Sequence, residues 1–302
     1  MNYQIITDGS CDLPTELVKE KNLIVVPFYV SFDGQNYQKE IVDIGIRDFY
    51  EEMVTNPKVF PKSSMPSVQD YADVFEPLVK KEIPVICICI TTKFSGSMQS
   101  ALTAKDMILE NYPHAKITVI DATVNTVLQG LYVLEAVRMQ EAGWEYEDVV
   151  SRLETIKSTG RIFFTVGDME YLKHGGRIGK LTGIAGSILG IKPLITLKEG
   201  EIFPSGITRS RKKSMDKVID LLLEYLKETG KDIHSYSLAI GFGYDKKEAE
   251  EFKNLAIAVI NEKRKDSSQL TDKHLPLYQI GATISVHTGP YPLGFGIIEK
   301  AF

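Results

Sequence analysis

Three cysteines in 302 residues are too few for a disulfide framework. Cys87 and Cys89 stand two apart in one apolar run, and Cys11 lies in an early polar stretch. Buried free thiols in a reducing cytosol account for them best. Neither a C-x-x-C pair nor a paired-His motif is present, so metal ligation is not expected. Positive charge is short as well. Against 40 Asp and Glu stand 35 Lys and Arg, and the net charge of −5 disfavours nucleic acid or an anionic lipid surface as a charge-matched partner. The basic clusters Arg209–Lys213 and Lys263–Lys265 read as solvated faces. No apolar run is long enough to span a bilayer: the longest, Leu181–Leu197, is interrupted at Lys192 and reads as a connecting helix followed by a strand. The opening MNYQIITDGS has neither a basic stretch nor an apolar core, so no signal peptide is expected and the expected location is cytoplasmic. A Walker A lysine motif, a G-x-G-x-x-G opening a helix and a G-x-S-x-G elbow are all missing, which argues against nucleotide binding and an α/β-hydrolase site.

What is there is an ordinary globular composition, 43% hydrophobic and 25% charged, in a chain long enough for two domains or one large α/β unit. The most informative segment is Pro84–Tyr112. PVICICIT reads as a strand buried on both faces, Thr92–Ser97 as a loop rich in hydroxyls, and MQSALTAKDMILENY as a helix. That order sets Ser95, Gly96 and Ser97 at a helix N-terminus beyond the carboxyl end of a parallel strand, where unpaired N–H groups and the helix dipole favour an anion. Strand and helix signals alternate from Asn2 to about Ser158, with Asp8, Ser95 and Asp121 at strand ends. Ser67 is the expected N-cap of a helix from Val68, with Asp70 at N3. After about Arg161 the rhythm changes to a hairpin around Glu199–Gly200, two long helices beside strands, and closing segments Ala282–His287 and Gly296–Lys300 read as strands. The expected fold is α/β: a parallel-sheet α/β/α domain over residues 1–163, then an α+β domain with a mixed sheet over residues 164–302.

Three polar loops are candidates to converge between these domains: Ser63–Ser67, Ser95–Ser97 and His287-Thr288-Gly289-Pro290. Hydroxyls, backbone N–H groups and an imidazole are what a carboxylate or phosphate needs, each charge-assisted bond being worth roughly 1.5–3 kcal/mol. Taken singly, a Ser or Gly at a loop–helix junction is a cap or a turn, and a His at a strand end is a satisfied structural residue. A Ser–His pair with Asp121 as third member also raises nucleophilic hydrolysis or phosphotransfer through Ser95 and His287.

With these residues assembled, the chain resembles the DegV family of fatty-acid-binding proteins. The resemblance runs over nearly the full length and rests on Asp8-Gly9-Ser10-Cys11-Asp12-Leu13, Ser63-Ser64-Met65-Pro66-Ser67, Phe94-Ser95-Gly96-Ser97-Met98-Gln99-Ser100-Ala101, Asp168–Ile178, Leu189-Gly190-Ile191-Lys192-Pro193 and His287-Thr288-Gly289-Pro290. It implies two α/β domains with a fatty acid in a tunnel between them. The carboxylate would meet Ser63, Ser95, Gly96, Ser97, His287 and Thr288. It further implies a carrier without a cofactor or catalysis of its own, which presents the acid to an ATP-dependent bacterial fatty acid kinase, with transient membrane contact and no nucleic acid partner. Arg177 would dock the kinase, and Arg209 would lie near the same surface. The family often has Thr at 63 and 97, Gln at 65, Ser at 122 and Gly at 291. Met65, Ala122 and Tyr291 therefore depart from it and bear on tunnel shape and acyl preference.

Overall fold

The alternating apolar strand and helix signals of the first half become a parallel sheet in the computed structural model, which describes residues 3–185, 190–264 and 269–302. In chain order, β1 (Gln4–Asp8) leads through a 3-10 turn to α1 (Thr15–Glu20) and β2 (Ile24–Val26). Next come β3 (Tyr29–Ser31), β4 (Gln38–Lys39), α2 (Ile46–Thr55) and β5 (Lys62–Ser64). Then follow α3 (Val68–Val79), β6 (Val85–Cys89), α4 (Ser97–Asn111), β7 (Ile117–Asp121), α5 (Thr126–Glu141) and α6 (Tyr146–Ile156). The sheet runs β2-β1-β6-β7, all parallel, and every residue of β6 is buried, as its unbroken apolar sequence requires. The three cysteines are free and buried. At α3 the capping box is complete: Ser67 Oγ accepts from the Asp70 N–H, and the Asp70 carboxylate accepts from the Ser67 N–H.

The second half opens with β8 (Arg161–Thr165), α7 (Glu170–His174) and α8 (Thr182–Ala185), then the hairpin β9 (Lys192–Lys198) and β10 (Glu201–Thr208). It continues through α9 (Arg211–Thr229), β11 (Tyr236–Phe242), α10 (Lys246–Lys263), β12 (Leu277–Gln279), α11 (Ala282–Thr288) and β13 (Leu293–Glu299). Its sheet has the order β10-β9-β8-β13-β11-β12 and is antiparallel except between β11 and β12. The expected fold class therefore stands: a parallel-sheet unit and a separate mixed sheet. Helix α5 is buried all round because it packs between the two, touching β1 on one side and β11 and β13 on the other. The expectations for residues 186–189 and for Lys265 lie outside the described residues.

Three local expectations need correction. The run Leu23–Phe32 does not form one strand. Pro27, which has no N–H to give a ladder, separates β2 from β3, and β3 pairs instead with β4 and β5 in a small antiparallel sheet. Ser63 and Ser64 therefore stand on a strand rather than in a loop. Ala282–His287 is not a strand but most of α11. Its β-branched residues suit a strand in isolation, yet the segment is buried against α2, α7, β3 and β5, and packing of this kind overrides propensity.

Candidate functional site

The carboxyl ends of the parallel strands open onto a cavity of about 290 Å³, closed on its other side by the mixed sheet. Ile90 and Val127 line it from the parallel unit, and Ile162, Phe164, Leu197 and Leu293 from the mixed sheet. Phe28, Ile280 and Ile284 complete much of the apolar wall. At one end the polar segments gather: Ser63 to Met65, Ser95 and Gly96, Arg177, and His287 with Thr288. Segments far apart in the chain meet here because α11 packs on β5, while the loop before α4 faces the turn after α7.

Each expected residue has a definite place. Ser63 Oγ and His287 Nε2 are 3.2 Å apart in a hydrogen bond, so the Ser–His pair is formed by Ser63 and not by Ser95. Ser95 Oγ accepts from the Ser97 N–H at 3.1 Å, which leaves the Ser95 proton for a ligand. Gly96 is the N-cap of α4, and a Cβ there would press within 2.7 Å of Met65 Sδ, so both residues shape the same edge. Ser97 does not line the cavity. Its hydroxyl is buried, donating to Asp8 Oδ2 at 2.8 Å and bonded to Tyr71 Oη at 2.6 Å. Thr288 lines the wall but donates to the Ile284 carbonyl, so it has no proton for an anion. Arg209 is exposed and outside the lining.

Arg177, expected near the tunnel mouth as a docking residue, lines the cavity wall. It donates to the Phe94 carbonyl at 2.9 and 3.3 Å and to the Gly175 carbonyl at 2.8 Å, tying the loop before α4 to the turn after α7. Among the described residues it is the one charged side chain in the lining. Burial, and next the nearby Arg177 charge, hold the His287 imidazole down at about 4, so it is neutral at physiological pH. Gly175 makes the tight approach to His287 feasible, since a Cβ would fall 2.2 Å from Nδ1. The third member of a hydrolytic triad is not in place. Asp121 accepts from the Thr92 hydroxyl and the Thr123 N–H, and His287 Nδ1 lies against the Gly175 backbone rather than a carboxylate.

Behind this end, Asp8 is wholly buried, and its two oxygens take four donors: Ser10 Oγ and Gln129 Nε2 on one, the Ile90 N–H and Ser97 Oγ on the other. Desolvation raises its pKa against the pull of those bonds. Through Ser97 this carboxyl fixes the first turn of α4 and with it the Ser95 loop.

An apolar cavity with one polar, mostly neutral end suits an amphipathic molecule with an anionic head. The profile of the DegV family, whose description is that of uncharacterised proteins, matches residues 2–300. The chain belongs to the DegV family. It is similar to a DegV domain-containing protein of Clostridium perfringens, 30% identical over the whole of both chains, and to one of Caldanaerobacter subterraneus, 34% identical over 98% of each. Among solved structures it is similar to a stearic acid-binding protein from Eubacterium ventriosum, 43% identical over 99% of both chains, with a TM-score of 0.91. A fatty-acid-binding DegV protein from Thermus thermophilus is 27% identical, covering 99% of this chain and 100% of its own, with a TM-score of 0.83. Bacillus subtilis DegV, a fatty acid binding protein, is 26% identical at a TM-score of 0.80, with 99% and 100% covered.

Proposed function

We propose that this protein binds one long-chain fatty acid in the cavity and presents its carboxylate to an ATP-dependent fatty acid kinase. The carboxylate sits at the polar end, taking hydrogen bonds from Ser63, Ser95 and the Gly96 N–H, with Arg177 supplying positive charge at the rim. The tail lies among Phe28, Ile90, Val127, Phe164 and Leu293. One observation carries the reading: a greasy cavity with a convergent set of donors at one end, in a chain 43% identical to a stearic acid-binding protein. The energetics agree. Burying about 15 methylenes gains roughly 12 kcal/mol at about 0.8 each. Association costs of roughly 4–15 kcal/mol leave the head-group bonds to decide whether binding is tight.

Presentation to a kinase is supported by the place of the polar end. Arg177 is exposed there, so a carboxylate beside it is within reach of a second protein. The partner would supply ATP, and a carboxylate oxygen would take its terminal phosphoryl group to give an acyl phosphate. This chain holds and releases the lipid in the cytoplasm and touches a membrane transiently. The decisive experiment is mass spectrometry of what denatured, purified protein releases, followed by titration of the delipidated protein with octadecanoic acid. Recovery of a fatty acid and saturable binding are expected; neither lipid nor binding would end the proposal. Turnover of a nitrophenyl ester that Ser63→Ala or His287→Ala abolishes would instead favour an esterase.

A further inference from the structure

A second cleft opens beside the polar end of the cavity and shares its wall. Phe94, Arg177 and Ile202 line both, while Lys93, Lys180 and Glu201 line the cleft alone. The shared wall lies next to the candidate head-group donors, because Phe94, whose carbonyl Arg177 grips, is the residue before Ser95. A Cβ on Gly176, which also lines the cleft, would meet nothing within 4 Å, so that side is open.

The cleft is basic on a chain that is acidic overall. Lys93, Arg177 and Lys180 stand against Glu201, the one acid among its described lining residues, whereas the whole chain carries −5. Lys180 Nζ holds Glu201 Oε2 at 2.9 Å. That hydrogen bond and the Lys180 charge, then the Lys93 charge, keep the Glu201 carboxyl below its ordinary range. Among the described residues no carboxylate forms an ion pair with Lys93. Arg177 spends three of its five N–H groups on the Phe94 and Gly175 carbonyls and keeps two. An ammonium and part of a guanidinium therefore stand uncommitted around an open space.

A carboxylate held by Ser63, Ser95 and the Gly96 N–H does not need them. Its acyl phosphate does. A phosphoryl group brings roughly −1.5 to −2 charge at pH 7 and three strong acceptor oxygens. Neutral hydroxyls cannot balance that charge, and Lys and Arg side chains beside the same end can. We propose that this cleft receives the phosphoryl group of a long-chain acyl phosphate, so that the protein retains the phosphorylated lipid more tightly than the free acid. This rests on the fatty-acid reading and adds to it the class of product that the same site holds.

The test titrates delipidated protein with octadecanoic acid and with the β-ketophosphonate analogue of octadecanoyl phosphate, in which a methylene replaces the hydrolysable bridging oxygen. The phosphonate is expected to bind roughly tenfold more tightly, the sum of two partly exposed ion pairs. That ratio should fall towards one in the double variant Lys93→Ala, Lys180→Ala, which truncates two exposed side chains and leaves the core intact. Equal or weaker binding of the phosphonate by the wild type would overturn the cleft's role, and so would a preference that persists unchanged in the double variant. Inorganic phosphate, titrated into protein already holding octadecanoic acid, separates a tail-borne group from a free one. Binding as tight as that of the phosphonate would assign the cleft to free phosphate and overturn the proposal. In each case octadecanoic acid still binds, so the fatty-acid reading survives. If neither lipid binds, both readings fall.

Discussion

Two buried groups at opposite ends of α11, Glu40 against its first turn and His287 in its last, should make the stability of the delipidated protein respond to pH in opposite senses. Burial raises the Glu40 carboxyl from 4.5 to about 7, despite bonds from the Thr283 and Phe28 N–H groups. Burial and the Arg177 charge lower the His287 imidazole from 6.5 to about 4. Each displacement corresponds to about 3 kcal/mol. For Glu40, both folded and unfolded chains are protonated below pH 4.5. As pH rises from 4.5 to 7 the unfolded chain ionises freely while the folded one keeps its proton, so stability falls by about 3 kcal/mol. For His287, both states are neutral above pH 6.5. As pH falls from 6.5 to 4 the unfolded chain takes up a proton that the folded one refuses, and stability falls by about 3 kcal/mol in that direction. Between pH 4.5 and 6.5 the two effects largely cancel in the wild type, and single substitutions separate them. Urea denaturation across pH 4 to 8 should show the stability of Glu40→Gln, relative to wild type, climbing by about 3 kcal/mol as pH rises. That of His287→Gln should climb by a similar amount as pH falls. Taking differences removes groups that do not feel either side chain and any constant cost of the amide; Asp8 and Asp12, which interact with Glu40, titrate together with it. Two flat difference curves, or two sloping the same way, would refute the assignment of both groups.

Other consequences concern affinity and local stability. Ser95→Ala removes one charge-assisted donor, so octadecanoic acid affinity should fall by about tenfold to a hundredfold, while the corresponding fatty alcohol changes less; competitive displacement of a fluorescent fatty acid measures both. At Gly241, in the cavity wall, a Cβ would meet both methyls of Val127 at 3.2 Å. Gly241→Ala should therefore shift the preferred acyl chain to a shorter one, read by titrating a chain-length series. Ser67→Ala breaks the α3 capping box and should cost about 1 kcal/mol in denaturant unfolding, leaving fatty acid affinity within error.

The first half of the fold was legible because its signals agree. PVICICIT is apolar on both faces, the loop after it is rich in hydroxyls around Gly96, and the helix that follows starts at Ser97, so period, turn chemistry and burial all point one way. The polar end of the cavity was legible for the same reason, through Ser63, Ser95, Gly96 and His287. What remained hidden depends on tertiary neighbours. ATISVHT has the composition of a strand, and it becomes a helix where it packs against α2, α7, β3 and β5, with Glu40, 243 residues earlier, accepting the Thr283 N–H at its first turn. Ser95 and Ser97 look alike in sequence. One keeps a free proton beside the cavity and the other is spent on Asp8, and only the direction of the first turn of α4 decides which. Apolar cavity residues such as Phe164 and Leu293 cannot be told from core residues by pattern, because both are buried apolar positions on strands.

On the proposed reading, Arg177 shows why the polar end of the cavity is built mainly from neutral donors. A fully buried cation would hold a carboxylate tightly and blunt its oxygen, and it would have to be desolvated whenever the cavity is empty. Here the guanidinium stays exposed and is already committed to the Phe94 and Gly175 carbonyls. It steadies the two segments framing the opening and lends the site charge at a distance. His287 follows the same logic: neutral when the cavity is empty, it needs no counter-ion, and an arriving carboxylate favours its protonated form. Fatty acid binding should therefore take up protons, most strongly between the bound-state value of the imidazole and its empty-site value of about 4. Calorimetry in two buffers of different ionisation enthalpy would detect this as a buffer-dependent binding heat below pH 6. The same heat in both buffers would mean that the imidazole does not sense the head group, and the carboxylate would then have to lie on the Ser95 side alone.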